Sequence, residues 1–271
     1  QGHKLNEVLA RLEDVLRDCA PAAVAVSGGV DSMTLAYAAG QCLGEQVAMF
    51  HAVSPAVPRV ATARVARYAQ EQGWDLQTIN AHEFDDEQYL ANPANRCFFC
   101  KHNLYATIVA ATPNQVLSGT NLDDLGDWRP GLKAAAEHGV RHPFVEAGID
   151  KAAVRELARH FGLADVAELP SAPCLSSRIE TGIPIAAREL TFIDATETLI
   201  RAAVSSPSVR CRIRRSGIVI ELDPATHAVL PPALRDSLRA DISALARRHE
   251  VDGQISFAPY ERGSAFLRDS A

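Results

Sequence analysis

Residues 25–36, "AVSGGVDSMTLA", decide the fold, because they place two adjacent glycines and two serines between a short apolar run and a helical segment. Gly28 and Gly29 let backbone N–H groups approach a polyphosphate, and the N-terminus of the following helix adds its positive dipole end. The polar side chains of the stretch, which offer hydroxyl donors and one carboxylate suited to magnesium, are Ser27, Ser32 and Asp31. The stretch predicts a phosphate-binding loop without a Walker lysine, and an ordinary glycine turn into a helix is the alternative.

The segments around this loop alternate between short apolar runs and helical repeats. Strands are expected at 22–26, 46–53, 75–80 and 115–120, and helices at 58–72, 101–111 and 150–161. Buried strands that alternate with helices are typical of a parallel sheet covered on both faces. We therefore predict an α/β fold whose doubly wound parallel sheet occupies an ATP-binding domain at residues 4–170.

The order of elements changes after a loop rich in proline, serine and glycine at residues 168–184. Helices are expected at 186–204 and 232–249, and strands at 208–214, 217–222 and 252–258. This order predicts a smaller α+β domain at residues 171–271, with a role in substrate binding and oligomer contacts.

Composition excludes several classes of protein. The formal net charge of −6 argues against a general nucleic-acid binder, which needs a face rich in lysine and arginine. No apolar run approaches the ~20 residues of a membrane helix, and no secretory signal is visible. With six cysteines and no signal, we expect a cytoplasmic protein with reduced thiols and with neither a membrane nor a nucleic acid as its partner.

The serine–glycine loop resembles the pyrophosphate-binding loop of the PP-loop ATPases, which cleave ATP between its α and β phosphates. Three further stretches carry a closer resemblance, namely "NRCFFCK" (95–101), "SGTNLDDLGDWRPGLKAA" (118–135) and "PSAPCLSSRIETGIPI" (170–185). In this order they are similar to the LarE family of sulfur transferases, which make the nickel-pincer cofactor of lactate racemase. The resemblance implies that ATP with Mg²⁺ adenylates a carboxylate of a pyridinium dicarboxylate mononucleotide and releases pyrophosphate. A sulfur nucleophile then displaces AMP and leaves a thiocarboxylate.

The resemblance also assigns residues beyond the loop. Those matched to the ATP site are Ser54, Gly119, Thr120 and Asn121. The last three lie where the strand order of the sheet is expected to reverse and open a crevice. Asp124 is expected to hold Mg²⁺ together with Asp31, although "DDLGD" also reads as a solvated acidic loop. Arg129 is expected either to face phosphate or to pair with Asp127.

Three of the six cysteines are expected to act in the reaction. In the best-understood relatives, the cysteine that corresponds to Cys174 gives up its sulfur and becomes dehydroalanine. A thiolate is the required nucleophile, and Arg178 nearby would favour that form. Cys97 and Cys100 add two thiolates, and the three suit a 4Fe-4S cluster with one iron that lacks a protein ligand. A replaceable sulfide on that iron would spare Cys174.

Other interpretations of these thiols stay open. The three could hold zinc with a fourth ligand such as His102, or Cys97 and Cys100 could form a redox pair that assists Cys174. Cys174 could also act alone as the sacrificial donor. The remaining cysteines, which have no comparable partner and are expected to pack, are Cys19, Cys42 and Cys211.

The smaller domain contains an arginine-rich strand, "SVRCRIRR" (208–215). Alternation places Arg210, Arg212 and Arg214 on one face, which is either a solvated basic face or a binding face. The resemblance implies that the guanidinium groups of several arginines bind the phosphate and carboxylates of the substrate, with one acidic residue in the same site. The residues of this site are Arg178, Arg210, Arg212 and Glu221.

Three other functions compete with this one. A tRNA thiolase would need a basic RNA-binding module, an amine-using synthetase would need no reactive cysteine, and a non-catalytic iron–sulfur or zinc module would not cleave ATP. The resemblance implies a homo-oligomer, since relatives form hexamers.

Overall fold

The computed structural model describes residues 2–126 and 128–264. Within that part, the α-helices are α1 Gly2–Cys19, α2 Val30–Leu43, α3 Arg59–Gln72, α4 Glu87–Leu90, α5 Arg96–Ala111, α6 Pro130–Glu137, α7 Pro143–Glu146, α8 Lys151–His160, α9 Ala164–Ala167, α10 Ala187–Ala203, α11 Pro224–Val229 and α12 Pro232–Arg248. The strands are β1 Ala22–Ala25, β2 Val47–Ala52, β3 Leu76–Ile79, β4 Gln115–Leu117, β5 Val209–Arg214, β6 Gly217–Leu222 and β7 Ile255–Pro259.

The larger sheet has the order β3-β2-β1-β4, and all its pairings are parallel. Successive side chains of β1 enter different cores, since Ala22 and Val24 pack in one apolar cluster and Ala23 in another. Both faces of the strand are therefore covered, and the predicted α/β fold with a parallel sheet is confirmed.

The order of the strands reverses at β1. The chain moves outward from β1 through β2 to β3 and then returns to place β4 on the other side of β1. In open α/β sheets such a reversal leaves a crevice at the carboxyl ends of the two strands. The serine–glycine loop follows β1 at this position, and residues 118–121 follow β4.

Two differences from the sequence-based expectation concern element ends. β4 ends at Leu117 rather than at residue 120, because the chain turns after Ser118, where the Thr120 N–H donates to Ser118 Oγ at 3.3 Å. Helix α5 begins at Arg96, five residues before the expected start at 101, so both cysteines of "NRCFFCK" are helical.

The chain forms two compact units, one of Gln1–Asp86 with Asn95–Ala172 and one of Glu87–Ala94 with Pro173–Ala271. The second unit contains the sheet β5-β6-β7, in which β5 and β6 are antiparallel and β6 and β7 are parallel. Fully buried residues such as Phe192 and Ile220 form its interior.

The short segment Glu87–Ala94 belongs to the second unit although it lies within the sequence of the first. The Tyr89 hydroxyl lies 2.5 Å from Ser176 Oγ, and both residues have no exposed surface. Asn92 Nδ2 donates to the carbonyls of Glu180 and Ile183 at 2.9 and 3.0 Å. These buried contacts join the segment to the loop that contains Cys174. No helix within residues 2–126 and 128–264 is both long and apolar enough to cross a membrane.

Candidate active site

Hydrogen bonds among its own serines and glycines hold the loop between β1 and α2. Ser27 Oγ and Ser32 Oγ lie 3.0 Å apart, and the Ser27 N–H donates to Ser32 Oγ at 2.9 Å. The Gly29 N–H donates to Ser27 Oγ at 3.3 Å. The predicted serines therefore shape the loop as well as offering hydroxyl groups.

Gly28 occupies a position that only glycine tolerates. Its φ of 92° lies in the left-handed region, and a Cβ there would be 2.9 Å from Ala61 O. Arg64 Nη1 donates to Gly28 O at 2.8 Å, which fixes the carbonyl of the same residue.

The N-terminus of α2 has no side-chain cap. Gly29 is the N-cap residue, and the first helical bond runs from the Met33 N–H to Gly29 O at 3.0 Å. The N–H groups before Met33 have no partner within the helix, and such a terminus attracts an anion. The fold thus presents donors and a positive dipole end where β1 finishes.

Asp31 in the first turn of α2 is paired with a lysine from another helix. Lys151 Nζ lies 2.6 Å from Asp31 Oδ2, and Asn121 Nδ2 donates to Asp31 Oδ1 at 3.2 Å. Both side chains of the ion pair are about three-quarters buried, with 26% of Asp31 and 29% of Lys151 exposed. The Lys151 backbone N–H donates to Asp123 Oδ2 at 3.1 Å, which positions the start of α8.

Asp124 is connected to the same cluster through Asn121. Asp124 Oδ2 accepts from the Asn121 N–H at 3.0 Å, and Asp124 Oδ1 lies 2.9 Å from Arg129 Nη2. Arg129 therefore contacts Asp124, whereas Asp127 lies outside the described residues. Asp31 and Asp124 both contact Asn121, so the two predicted magnesium ligands are brought near each other.

Gly119 and Thr120 lie where β4 approaches α2. A Cβ on Gly119 would be 2.8 Å from Ser32 N and 2.9 Å from Asp31 C, so the backbones touch. Thr120 Oγ1 lies 2.9 Å from Ser118 Oγ, which lies 2.6 Å from His142 Nδ1. Burial lowers the pKa of His142 and keeps this ring neutral at physiological pH.

Ser54 lies two residues beyond β2, where its Oγ accepts from the Ala56 N–H at 3.2 Å. On β2 itself, His51 Nδ1 is 2.7 Å from Val26 O, and its Nε2 is 2.9 Å from Thr62 Oγ1. Burial lowers the pKa of His51, so a neutral ring joins the start of the serine–glycine loop to α3.

Cys97 and Cys100 lie on the first turns of α5 and are both half-buried. The spacing i, i+3 places them on one face of the helix. In the part of the chain that the structure describes, no three His, Cys, Asp or Glu side chains are grouped to hold a metal ion.

Cys174 belongs to the second unit, where its backbone is held firmly and its side chain is half-buried. Its carbonyl accepts from the Ser177 N–H at 3.0 Å and from Ser177 Oγ at 2.8 Å. Arg178 donates to Pro173 O at 3.2 Å and pairs with Glu197 at 2.8 Å. Burial raises the pKa of Glu197, but Arg178, the Cys211 N–H and Arg201 together outweigh burial, and the pKa of this carboxyl lies below its usual range.

Two of the three arginines of β5 pair with an acidic residue, and none of the three is fully exposed. Glu221 lies 2.8 Å from Arg212 Nε and 2.9 Å from Arg214 Nη2, and Arg212 also donates to Ser177 O at 3.2 Å. Arg210 lies with its guanidinium 5.6 Å from the centre of the Tyr260 ring, and burial lowers its pKa. Arg178 donates to Ser177 Oγ at 3.0 Å, so Arg178 and Arg212 both contact Ser177, three residues after Cys174.

The other cysteines have surroundings that suppress the thiolate. Burial raises the pKa of Cys19 to about 11, that of Cys211 well above its usual value, and that of Cys42 in the same direction. None of the six cysteines forms a disulfide.

Sequence reasoning missed Lys151, Arg64 and Glu197. Lys151 left a recognisable signal, because a lysine in the first turn of a helix opposes the helix dipole and therefore needs an anionic partner. The other two are recognisable only through contacts between positions far apart in sequence.

A parallel sheet with an uncapped serine–glycine loop at its reversal point defines a PP-loop-like α/β domain. No family model matches the chain. It is 35% identical over 224 residues to the uncharacterized protein slr1717 of Synechocystis, which covers 81% of this chain and 83% of that protein. It is 29% identical over 221 residues to the pyridinium-3,5-bisthiocarboxylic acid mononucleotide synthase of Lactiplantibacillus plantarum, with 80% and 79% covered. The uncharacterized protein MJ0830 of Methanocaldococcus jannaschii is 26% identical over 204 residues, with 74% and 77% covered.

The chain belongs to the family of the Synechocystis protein, and its similarity to the synthase supports describing that family as LarE-like.

Proposed function

We propose that the protein is an ATP-dependent sulfur transferase that converts a carboxylate of a pyridinium dicarboxylate mononucleotide into a thiocarboxylate. The similarity to a pyridinium-3,5-bisthiocarboxylic acid mononucleotide synthase supports the substrate and the product. The observation that carries the proposal is the uncapped start of α2, with Lys151 beside it, at the reversal point of the sheet. This arrangement suits a leaving pyrophosphate.

The first step is formation of an acyl-adenylate. A carboxylate oxygen of the acceptor attacks the α-phosphorus of ATP, and the bond to the bridging oxygen breaks so that pyrophosphate leaves with the electron pair. The N–H groups at the start of α2 and the Lys151 ammonium stabilise the charge that grows on this leaving group. The neutral His51 keeps the loop in place through Val26 O.

Mg²⁺ fits the carboxylates near Asn121. Oxygen ligands are those that Mg²⁺ prefers, and Asp31 and Asp124 both contact Asn121. When Mg²⁺ accompanies ATP, we expect it to compete with Lys151 for Asp31, which leaves the lysine to contact phosphate.

The second step transfers sulfur. A sulfur nucleophile attacks the acyl carbon, the bond to the AMP oxygen breaks, and the product is a thiocarboxylate. Three thiolates from Cys97, Cys100 and Cys174 match the donor chemistry of a 4Fe-4S cluster, which when bound would supply a replaceable sulfide. The hydrogen bonds from Ser177 orient the Cys174 backbone for either role.

A sacrificial Cys174 is the competing source of sulfur. Its thiolate would form a thioester with the activated acceptor, after which loss of the α-proton and cleavage of the Cβ–S bond would release the thiocarboxylate. Dehydroalanine would then remain at residue 174.

We further propose that the chain acts as a cytoplasmic homo-oligomer. Light scattering of the purified protein tests the oligomeric state.

Anaerobic purification followed by iron and labile-sulfide analysis tests the cluster. We expect iron in the wild type and its loss in Cys97→Ala, Cys100→Ala and Cys174→Ala, whereas the control Cys42→Ala keeps it. A wild type without iron after anaerobic reconstitution contradicts the cluster. The intact mass of the protein after turnover then decides between a cluster-bound sulfide and Cys174 as the sulfur source. Loss of one sulfur and two hydrogens at Cys174 shows that Cys174 gave up its own sulfur. Formation of AMP and pyrophosphate that depends on the acceptor tests the transferase itself.

A further inference from the structure

A cavity of about 370 Å³ lies beside the cysteine-bearing turns of α5, entirely within the first unit. Aromatic and cationic side chains line most of it, together with a proline, and these are Phe98, Phe99, Trp128, Arg129, Lys133 and Pro130. Its volume lies within the range of small-molecule sites, at about 300–1,000 Å³. The helices that form it are α5 and α6.

Among the aromatic side chains of the cavity, Trp128 is the most open, with 65% of it exposed. The Phe98 ring meets Phe99 edge to face with centroids 5.4 Å apart, and it stacks on His102 with centroids 5.8 Å apart. Tryptophan, phenylalanine and tyrosine faces attract cations through the ring quadrupole, with tryptophan the strongest. A flat ring that carries a positive charge is therefore the group that these walls favour.

The charges at the cavity favour anions next to that ring. Lys133 Nζ lies 5.5 Å from the centre of the Phe98 ring, and no carboxylate in the described part of the chain pairs with it. Arg129 adds a second cation, which also forms an ion pair with Asp124. Carboxylates or a phosphate on the ligand would meet these groups.

Cys97 and Cys100 do not line the cavity, but they lie on the same turns of α5 as Phe98 and Phe99, which do. Gly131 on α6 lets the two helices approach closely, because a Cβ there would lie 3.0 Å from Lys101 Cγ and 3.8 Å from Cys97 O.

We propose that this cavity binds the ring of the sulfur acceptor, a cationic pyridinium that carries carboxylates, against the exposed face of Trp128. The proposal rests on the proposed function for the identity of the acceptor. The positive ring contacts Trp128, and the negative carboxylates contact Lys133, which lies over the Phe98 ring, and Arg129. One end of the acceptor is thereby held beside the helix of Cys97 and Cys100.

Calorimetric titration of the full chain with two small probes tests the assignment. N-methylpyridinium-3,5-dicarboxylate has a charged ring, whereas benzene-1,3-dicarboxylate has the same carboxylates on a neutral ring. We expect the first to bind about 2- to 30-fold more tightly, as a cation–π contribution of about 0.5–2 kcal/mol implies. Equal affinities for the two probes would overturn the role of the aromatic walls.

Variants then place the binding in this cavity. Trp128→Ala and Lys133→Ala should each weaken binding of the pyridinium probe about 2- to 5-fold, which is typical of losing one such contact at an exposed site. Val109→Ala removes an apolar group that is 46% exposed on the same helix and should bind as the wild type does. Because Trp128 is on the surface, circular dichroism should show an unchanged fold.

Failure of this assignment is distinguishable from failure of the proposed function. If the wild type transfers sulfur and both cavity variants keep its KM for the acceptor, the cavity is not the acceptor site although the function stands. If no sulfur transfer occurs but probe binding still depends on Trp128 and Lys133, the cavity binds such rings and the proposed function is wrong.

Discussion

Lys151 Nζ lies 2.6 Å from Asp31 Oδ2, so the first residue of α8 contributes a cation to the loop at the start of α2. We predict that Lys151→Ala lowers the rate of pyrophosphate formation by at least about 100-fold, the usual cost of removing one donor that stabilises a developing charge. Lys151→Arg should retain part of the activity. The assay is pyrophosphate release from ATP in the presence of the acceptor.

The control for this variant is Lys4→Ala, which removes an exposed lysine from α1. It should release pyrophosphate at the wild-type rate. Full activity in Lys151→Ala would mean that the lysine only stabilises Asp31.

Gly119 is the point where the backbone after β4 touches α2. We predict that Gly119→Ala lowers the free energy of unfolding by about 1–3 kcal/mol, since the added methyl would overlap with Ser32 N and Asp31 C. Denaturation by urea measures the change, and affinity for ATP should fall in parallel. Gly126→Ala is a matched control, because a Cβ there has no atom within 4 Å. Equal stability of the two variants would contradict this account.

The buried His51 should make stability depend on pH. Burial lowers its pKa below the value of about 6.5 that the unfolded chain has. As pH falls through about 6.5, the unfolded chain gains a proton that the folded protein does not bind, so the free energy of unfolding decreases. We predict a shallower decrease in His51→Gln, measured by urea denaturation between pH 8 and pH 5. His142 and His138 shift in the same direction and account for part of the remaining slope.

The cysteines should differ in reactivity towards iodoacetamide. Because burial raises the pKa of Cys19 to about 11 and that of Cys211 well above its usual value, both should react far more slowly at pH 7.5 than the half-buried Cys97, Cys100 and Cys174. Peptide mass mapping over time gives the order. Rapid modification of the fully buried Cys211 in the folded protein would disagree with the packing role assigned to it.

The fold could be predicted because its signals are local. The apolar run before Gly28, the glycine pair and the helix after it indicated the loop and its position between β1 and α2. The reversal of strand order beside β1 followed from the α/β pattern, and it explains why Asn121 contacts Asp31 from ninety positions away.

The ion pairs of the candidate site could not be predicted, because they join residues whose contact no local sequence pattern shows. Alternation along β5 predicted a common face for Arg210, Arg212 and Arg214, but it could not show that Glu221 on β6 would bind two of them. The pairing of Arg178 with Glu197 was hidden for the same reason, since the partner lies on a later helix.

The contacts of Tyr89 and Asn92 have a consequence for the order in which the protein can be made. The ribosome synthesises residues 87–94 long before residues 173–264. The first segment of the second unit is therefore present early in synthesis, but the unit cannot fold until the later residues have been made. A fragment that begins at Pro173 would lack the Tyr89 hydroxyl next to Ser176 and the Asn92 amide that holds Glu180 and Ile183. Expression of the second unit by itself therefore requires that residues 87–94 be supplied, either as a peptide or by circular permutation.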